Sequence, residues 1–224
     1  MSAPDGRDGV ADLLQQLCRA LTTDLAVAGV AVNLMSTAGS DGVLAASDDR
    51  SRVVDELQFA TGEGPCHDAY ASRRPVLTPD LRSVSHGRWP AYTSAACEAG
   101  LAAVFAFPLH LGAVVLGVLD VYADQPGSLS RDQVTVALTQ AQLATEILLD
   151  GELVTPDGGP DHDLSTTLDH RAEIYQAQGM VMVDLGVDPT DALSRMRAHA
   201  FGNERPLIDL ARDIISGFVL PVDA

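Results

Sequence analysis

The chain has 224 residues, 46% of them hydrophobic, which is enough for one sizeable core and a small satellite domain. Its basic residues are 14 arginines with no lysine, set against 31 carboxylates, and the net charge of −17 argues against broad, nonspecific nucleic-acid binding. Without lysine, the chain cannot form the standard P-loop phosphate site, a Schiff-base or pyridoxal linkage, or a receiver-type phosphorylation site.

The first part of the chain alternates predicted helices and strands. Its N-terminal MSAPDGRDGV is polar and holds no apolar core, so we expect no secretory signal. Leucines at helical spacing and runs of small or β-branched residues predict the elements that follow. These are a helix over residues 10–22, a strand over 27–35, a short helix over 53–60, a short strand over 75–77 and a helix over 89–100.

Residues 101–122 form the most apolar window of the chain. The window contains Pro108 and is rich in valine, so it predicts two buried antiparallel strands, 101–107 and 114–122, rather than a membrane span. A long helix over 132–149 closes this part of the chain. We therefore expect a soluble, cytoplasmic protein that does not contact a membrane.

The three cysteines, Cys18, Cys66 and Cys97, are widely spaced and form no C-x-x-C pair. This spacing argues against a disulfide framework and against a structural zinc site. It predicts reduced, mostly buried thiols in a reducing compartment. We expect no metal ion and no cofactor.

The segment LQFATGEGPCHDAY at residues 57–70, followed by the strand at 75–77, is the most distinctive sequence of this first part. It is similar to the GAF domains that are fused to ANTAR modules in actinobacterial regulators. The resemblance covers about residues 10–150 and implies an α+β fold, with an antiparallel sheet flanked by helices. We assign residues 1–150 to a GAF-like sensory domain. GAF domains bind small molecules or nothing, and often dimerise through their terminal helices.

Five residues form a tentative ligand pocket in this domain. Cys66 and His67 suggest a reactive thiol or a ligand to a metal or haem. Adjacent residues do not point at one centre and no other ligand is suitably spaced, so a turn with a buried Cys66 is the favoured interpretation. His86, Trp89 and Tyr92 are candidates to line a pocket over the sheet, although aromatic residues at helical spacing are more often core.

Residues 151–163 combine glycine, proline and acidic residues without apolar periodicity, and predict a linker. Residues 164–224 then predict three short amphipathic helices. The second helix begins at the capping Asp188 and ends at Gly202, and the third has Pro206 in its opening turn.

The three helices have apolar residues at helical spacing, and a bundle of this size normally needs a partner to bury the rest of its apolar surface. The apolar positions are Ile174, Ala177, Val181 and Leu185, then Leu193, Met196 and Ala200, then Leu207, Leu210, Ala211, Ile214 and Phe218.

A second resemblance rests on apolar, small and arginine residues in all three predicted helices. They are Ile174, Ala177, Gly179-Met180 and Met182, then Ala192, Met196-Arg197 and Ala200, then Arg205-Pro206-Leu207 and Ala211. This run resembles the ANTAR family of RNA-binding antitermination domains. The resemblance implies a three-helix domain, here residues 164–224, that dimerises and binds paired stem-loops in nascent transcripts, blocking a terminator.

Seven residues of this domain are candidates to contact RNA. A guanidinium, an aromatic ring and an amide offer stacking and hydrogen bonds to unpaired bases. The alternative for the first helix is a solvated face that covers a dimer seam, and for the others an ion pair or a helix cap. The family often carries lysine where Gln178 stands. The candidates are Arg171, Tyr175, Gln178, Arg195, Arg197, Asn203 and Arg205.

These features predict a regulator of transcript elongation, with a GAF domain that senses a ligand or mediates dimerisation and a bundle that binds tandem stem-loops as a homodimer. No catalytic constellation is present, so we do not expect an enzyme. The acidic charge supports an alternative, a dimerisation or protein-interaction module without RNA binding. A further alternative is a thiol-dependent methionine sulfoxide reductase, since some GAF domains have that activity and the chain has three cysteines.

Overall fold

A five-stranded antiparallel sheet forms the centre of the N-terminal part of the chain. We analysed a computed structural model, which describes residues 9–36, 39–84, 87–112, 114–150 and 162–221. The order of the strands in the sheet is β2-β1-β5-β4-β3. The strands are β1 (Gly29–Ser36), β2 (Gly39–Ala46), β3 (Val76–Thr78), β4 (Ala103–Leu111) and β5 (Val114–Ala123).

Helices cover both faces of this sheet, and three further helices follow at the C-terminus. The first and fifth helices pack on one face, and the second, third and fourth pack on the other. The helices are α1 (Val10–Leu25), α2 (Asp49–Thr61), α3 (Pro65–Ser72), α4 (Pro90–Glu98), α5 (Arg131–Asp150), α6 (His162–Leu185), α7 (Pro189–Gly202) and α8 (Leu207–Ile215). The predicted α+β architecture is confirmed.

Strand β5 shows how the alternation of side chains separates the two faces. Leu119 and Val121 lie in the core that the sheet shares with α1 and α5, where leucines and phenylalanines dominate. Asp120 and Tyr122, one step along the strand, are also fully buried, but they face helices α2 to α4. The second face therefore contains polar groups that the first lacks.

One strand and one α-helix of this part were not predicted from the sequence. Strand β2 contains two glycines and few β-branched residues, so its strand pattern is weak. Helix α3 begins at Pro65, where the sequence predicted a turn, because a proline in the first helical turn needs no N–H donor. Cys66 consequently lies in a helix.

The C-terminal helices α6, α7 and α8 form the predicted bundle, with Met196 at the centre of its core. Asp188 caps α7, since its carboxylate accepts a hydrogen bond from the N–H of Asp191 at 2.9 Å. The prediction placed Phe218 on the third helix, but α8 ends at Ile215 because the chain turns through Gly217 at φ 108°. Phe218 instead packs against the ring of His199.

The connection between the two parts falls mostly outside the described residues. Residues 151–161 of the predicted linker are among these, and helix α6 begins at His162. Over the described part of the chain, no helix is both long and apolar enough to cross a membrane.

Candidate nucleic-acid interface

Helix α7 has a polar edge that carries Arg195, His199 and Asn203. Residues four apart lie above one another on a helix, so these side chains form a row. The row begins with Asp191, whose carboxylate accepts from Nε of Arg195 at 3.3 Å. It ends with Asn203, whose Nδ2 donates to the carbonyl oxygen of His199 at 2.8 Å and helps to close the helix. The guanidinium of Arg195 is therefore partly exposed, and the adjacent Asp191 carboxylate neutralises its charge.

Arg197 lies on the opposite edge of α7, because two residues on a helix are separated by about 200°. Its guanidinium carbon is 5.1 Å from the centroid of the Phe59 ring, which belongs to helix α2 of the N-terminal part. The seven candidates therefore do not form one patch. Arg195 and Arg197 point in different directions, and Arg197 faces the rest of the protein.

The candidates on helix α6 differ in how far they are available for binding. Gln178 is buried, and its Nε2 donates to the carbonyl oxygen of Pro189 at 2.6 Å, which ties α6 to the start of α7. Tyr175 is half-buried. The side chain of Arg171 lies outside the described residues. Gln178 therefore has a structural role, and it is the least supported of the candidate RNA contacts.

The remaining candidate, Arg205, precedes helix α8 and is paired with Asp213 at 2.7 Å. Arg212, which was not a candidate, pairs with Glu173 of helix α6 at 2.8 Å. Exposed ion pairs of this kind contribute about 0–1 kcal/mol, so a phosphate can replace the carboxylate at little cost. The bundle surface thus presents arginines that its own carboxylates neutralise.

A buried polar cluster lies between the sheet and helix α2, and sequence reasoning missed it. Its members are Asn33, Asp55, Gln58, Asp120 and Tyr122. Asp120 accepts from Nδ2 of Asn33 at 3.1 Å and from Nε2 of Gln58 at 3.3 Å. The Tyr122 hydroxyl donates to Asp55. The available signal was the polar residue within each apolar strand, in VAVNLM and VLGVLDVY.

Two carboxyl groups meet in this cluster. Burial raises the pKa of Asp120 well above its usual range, and the adjacent Asp55, to which it is hydrogen-bonded, raises it further. Burial also raises the pKa of the Tyr122 hydroxyl, and the charge of Asp55 adds to this effect. The protonated form of Asp120 is therefore favoured up to a higher pH than at an exposed aspartate.

The tentative ligand pocket is filled by the protein itself. Trp89 and Tyr92 are buried in the core between the sheet and helices α2 and α4. Within the described residues, neither the Tyr92 hydroxyl nor Oδ1 of Asn33 has a hydrogen-bond partner. His86 lies outside the described residues.

The other two residues of that pocket support the end of helix α2. The N–H of Cys66 donates to Oε1 of Gln58 at 2.7 Å, and Nε2 of His67 is 3.0 Å from the carbonyl oxygen of Gln58. Burial lowers the pKa of His67, the hydrogen bond to Gln58 raises it, and the charge of Arg197 lowers it. Cys66 is thus a buried residue of a helix turn.

The three cysteines are free thiols. Cys18 is buried on the α1 face of the sheet, and burial raises the pKa of its thiol to about 12. Cys66 lies on the opposite face. Because a thiolate is the reactive form, this shift disfavours a nucleophilic role for Cys18 at neutral pH. Among the described residues, no cluster of three or more potential metal ligands is present.

Two family models match the chain, and together they cover most of it. The model of the GAF domain matches residues 8–148, and the model of the ANTAR domain matches residues 162–215. The chain belongs to the GAF domain family. It also carries an ANTAR domain over helices α6 to α8. GAF domains serve as sensor domains, and ANTAR domains are RNA-binding antitermination modules. No curated protein sequence matches this chain.

Solved structures show the same fold for the GAF part. A domain from Sinorhizobium meliloti has 17% identity and a TM-score of 0.53, with coverage of 64% of this chain and 93% of that chain. A GAF domain region from Geobacter sulfurreducens has 14% identity and a TM-score of 0.53, covering 63% and 93%. A type II free methionine-R-sulfoxide reductase from Thermoplasma acidophilum has 16% identity and a TM-score of 0.50, covering 64% and 93%. At such identities the likeness shows the fold alone.

Proposed function

We propose that this protein is a regulator of transcript elongation that binds structured RNA. Its ANTAR bundle grips tandem stem-loops as a homodimer and favours antitermination, while the GAF domain senses a small molecule or mediates dimerisation. The observation that carries this proposal is the ANTAR match over residues 162–215, on a bundle whose accessible arginines flank helix α7.

The bundle surface supports RNA binding through few, local contacts. Arg195 and Arg205 supply guanidinium groups that pair with phosphate in bidentate geometry or stack on an unpaired base. Two phosphate contacts per bundle reduce the affinity of a single bundle by about 7- to 12-fold between 50 and 200 mM salt. Two bundles joined in a dimer raise the effective concentration of the second stem-loop, so tandem loops bind more tightly than a single loop.

The GAF interior supports a sensory role. The buried polar cluster and the unpartnered Tyr92 hydroxyl place hydrogen-bonding groups within the α2–α4 face, where an apolar core alone would be more stable. A small polar ligand that binds these groups when helix α2 is displaced increases the population of that displaced state.

The test of the RNA site is charge reversal in the full chain. Arg195→Glu together with Arg205→Glu should weaken binding to an RNA with two tandem stem-loops by at least tenfold, because two phosphate contacts become repulsive. The matched control is Arg50→Glu with Arg88→Glu, which changes the net charge equally and breaks two exposed ion pairs of the GAF domain. Equal weakening by both double variants would show that only total charge matters and would reject the site.

The acid content favours a second candidate, a dimerisation module that docks a protein and binds no RNA. The net charge is −17, and the exposed arginines of the bundle are paired with its own carboxylates. This candidate predicts no saturable RNA binding at either salt concentration, while the dimer persists in sedimentation experiments.

A further inference from the structure

The GAF domain contributes a side chain to the core of the bundle. Phe59 of helix α2 is only 3% exposed, and it belongs to the same hydrophobic cluster as Met196 and the other buried residues of α6 to α8. Helix α2 lies against α7, and α6 lies against strand β2. A three-helix bundle of this size needs additional apolar cover, and Phe59 supplies part of it.

Arg197 lies over the same end of helix α2. Its guanidinium stacks on the Phe59 ring, with 5.1 Å from the guanidinium carbon to the centroid. It also packs on Gly62, where an added Cβ would lie 2.9 Å from Nη1 and 3.1 Å from Cδ of Arg197. We call this set of three residues, Arg197 with Phe59 and Gly62, the Arg197 contact.

We propose that the Arg197 contact is an autoinhibitory surface, on which the GAF domain covers the edge of helix α7 that carries Arg197, one of the candidate RNA contacts, until α2 moves away. The inference rests on the proposed function. The Phe59 ring takes the place of a nucleobase, since a guanidinium stacks on either in the same way. While the contact persists, one of the basic candidates is withheld from RNA.

Charge adds to this steric effect. Residues 1–150 contain 18 carboxylates and nine arginines. In the docked arrangement this acidic domain lies beside the edge that carries Arg197, and it repels phosphate at short range. Undocking therefore frees a guanidinium and removes a repulsive surface at the same time.

Helix α2 also connects the contact to the buried polar cluster. Gln58, the neighbour of Phe59, holds Asp120 with Nε2 and the Cys66 N–H with Oε1. A change in the hydrogen bonding of the cluster therefore acts on the last turn of α2, whose other side carries Phe59. This gives the sensor domain a direct physical route to α7, through one helix that contacts both.

The test compares full-length variants against an RNA with two tandem stem-loops. Phe59→Ala removes the stacking surface and should raise RNA affinity about tenfold. Gly62→Asn tests the same contact independently, because asparagine tolerates the left-handed backbone at φ 71° while its Cβ displaces Arg197. The matched control is Val53→Ala on the same helix, whose side chain is 65% exposed, and its affinity should equal that of the wild type.

Hydrogen exchange on the same proteins reports the contact without RNA. Both Phe59→Ala and Gly62→Asn should increase exchange in peptides covering residues 54–62 and 190–202, with Val53→Ala unchanged. Faster exchange with tighter RNA binding supports the inference. RNA affinity equal to that of the wild type in both variants overturns it and leaves the proposed function standing. Absence of RNA binding in every protein overturns the proposed function, and the autoinhibitory surface with it.

Discussion

The GAF domain and the ANTAR bundle treat their charged residues in opposite ways. The GAF domain buries Asp55 and Asp120 against the sheet, where Oδ2 of Asp120 accepts from two amides and Asp55 accepts from the Tyr122 hydroxyl. The bundle instead holds Arg195 and Arg205 near its surface, each beside an aspartate. Under the proposed function, a ligand would be bound inside the first domain and RNA on the surface of the second.

The two domains also differ in how complete their cores are. The GAF sheet is covered by helices on both faces, whereas the bundle borrows Phe59 from helix α2. The GAF core is complete without the bundle, so a substitution in the bundle core should leave the GAF domain nearly unchanged, whereas the bundle depends in part on helix α2. Two core substitutions distinguish these dependences.

The largest effect should come from Met196→Ala in the bundle. Met196 is fully buried, and removing its side chain costs about 2–5 kcal/mol of unfolding free energy. The midpoint of denaturant unfolding followed by far-ultraviolet circular dichroism should fall for the C-terminal helices. The fluorescence of Trp89, the only tryptophan and a GAF core residue, should keep its wild-type midpoint.

The paired control is Met35→Ala, a buried methionine in the GAF core. This variant should lower the midpoint of Trp89 fluorescence, and the bundle transition should fall with it because the bundle core includes Phe59 of helix α2. If Met196→Ala lowered both midpoints equally, the two domains would unfold as one unit, and the comparison drawn above would be wrong.

A smaller effect is expected from Asp120→Asn, and it depends on pH. The folded-state pKa of Asp120 is raised, so its contribution to stability is complete below the unfolded pKa of about 4 and is lost as pH rises through the folded pKa. This loss amounts to at most about 1.4 kcal/mol per pH unit. Asparagine remains neutral and still accepts from Asn33 and Gln58, so the variant should gain stability relative to the wild type as pH rises.

Urea unfolding of both proteins at several pH values measures this difference. Asp124→Asn is the control, since Asp124 is exposed and paired with Arg50, and the variant should show no such gain. A stability difference between Asp120→Asn and the wild type that does not change with pH would show that the pKa of Asp120 is not raised in the folded protein.

The sequence predicted elements best where periodicity and helix caps agree. In the bundle, Asp188, Gly186 and Gly202 mark the ends of helices whose apolar spacing is regular, and the structure confirms these helices. Strand β2 and helix α3 escaped prediction because glycines weaken the first pattern and the second is only eight residues long. Strand β2 is held by its pairing with β1, and helix α3 by the hydrogen bond from the Cys66 N–H to Gln58. The local sequence of each element does not specify these contacts.

The candidate site was predictable as a set of residue types but not as an arrangement. Arg195 and Arg197 are two residues apart in the sequence, yet they lie on opposite edges of α7 and meet different neighbours. The contact with Phe59 joins residues 138 positions apart in the chain, and no local pattern specifies such a pairing. Likewise, the buried polar cluster depends on the register that sets Ala31 opposite Asp120.

The most direct measurement is a titration of the full-length wild-type chain against an RNA with two tandem stem-loops and an RNA with one, at about 50 and 200 mM salt. The account predicts saturable binding, tighter for the tandem RNA, that weakens at the higher salt concentration by tens of fold. Equal affinity for the two RNAs would contradict binding by paired bundles. No binding to either RNA at low salt would contradict the central claim that the ANTAR bundle of this protein binds structured RNA.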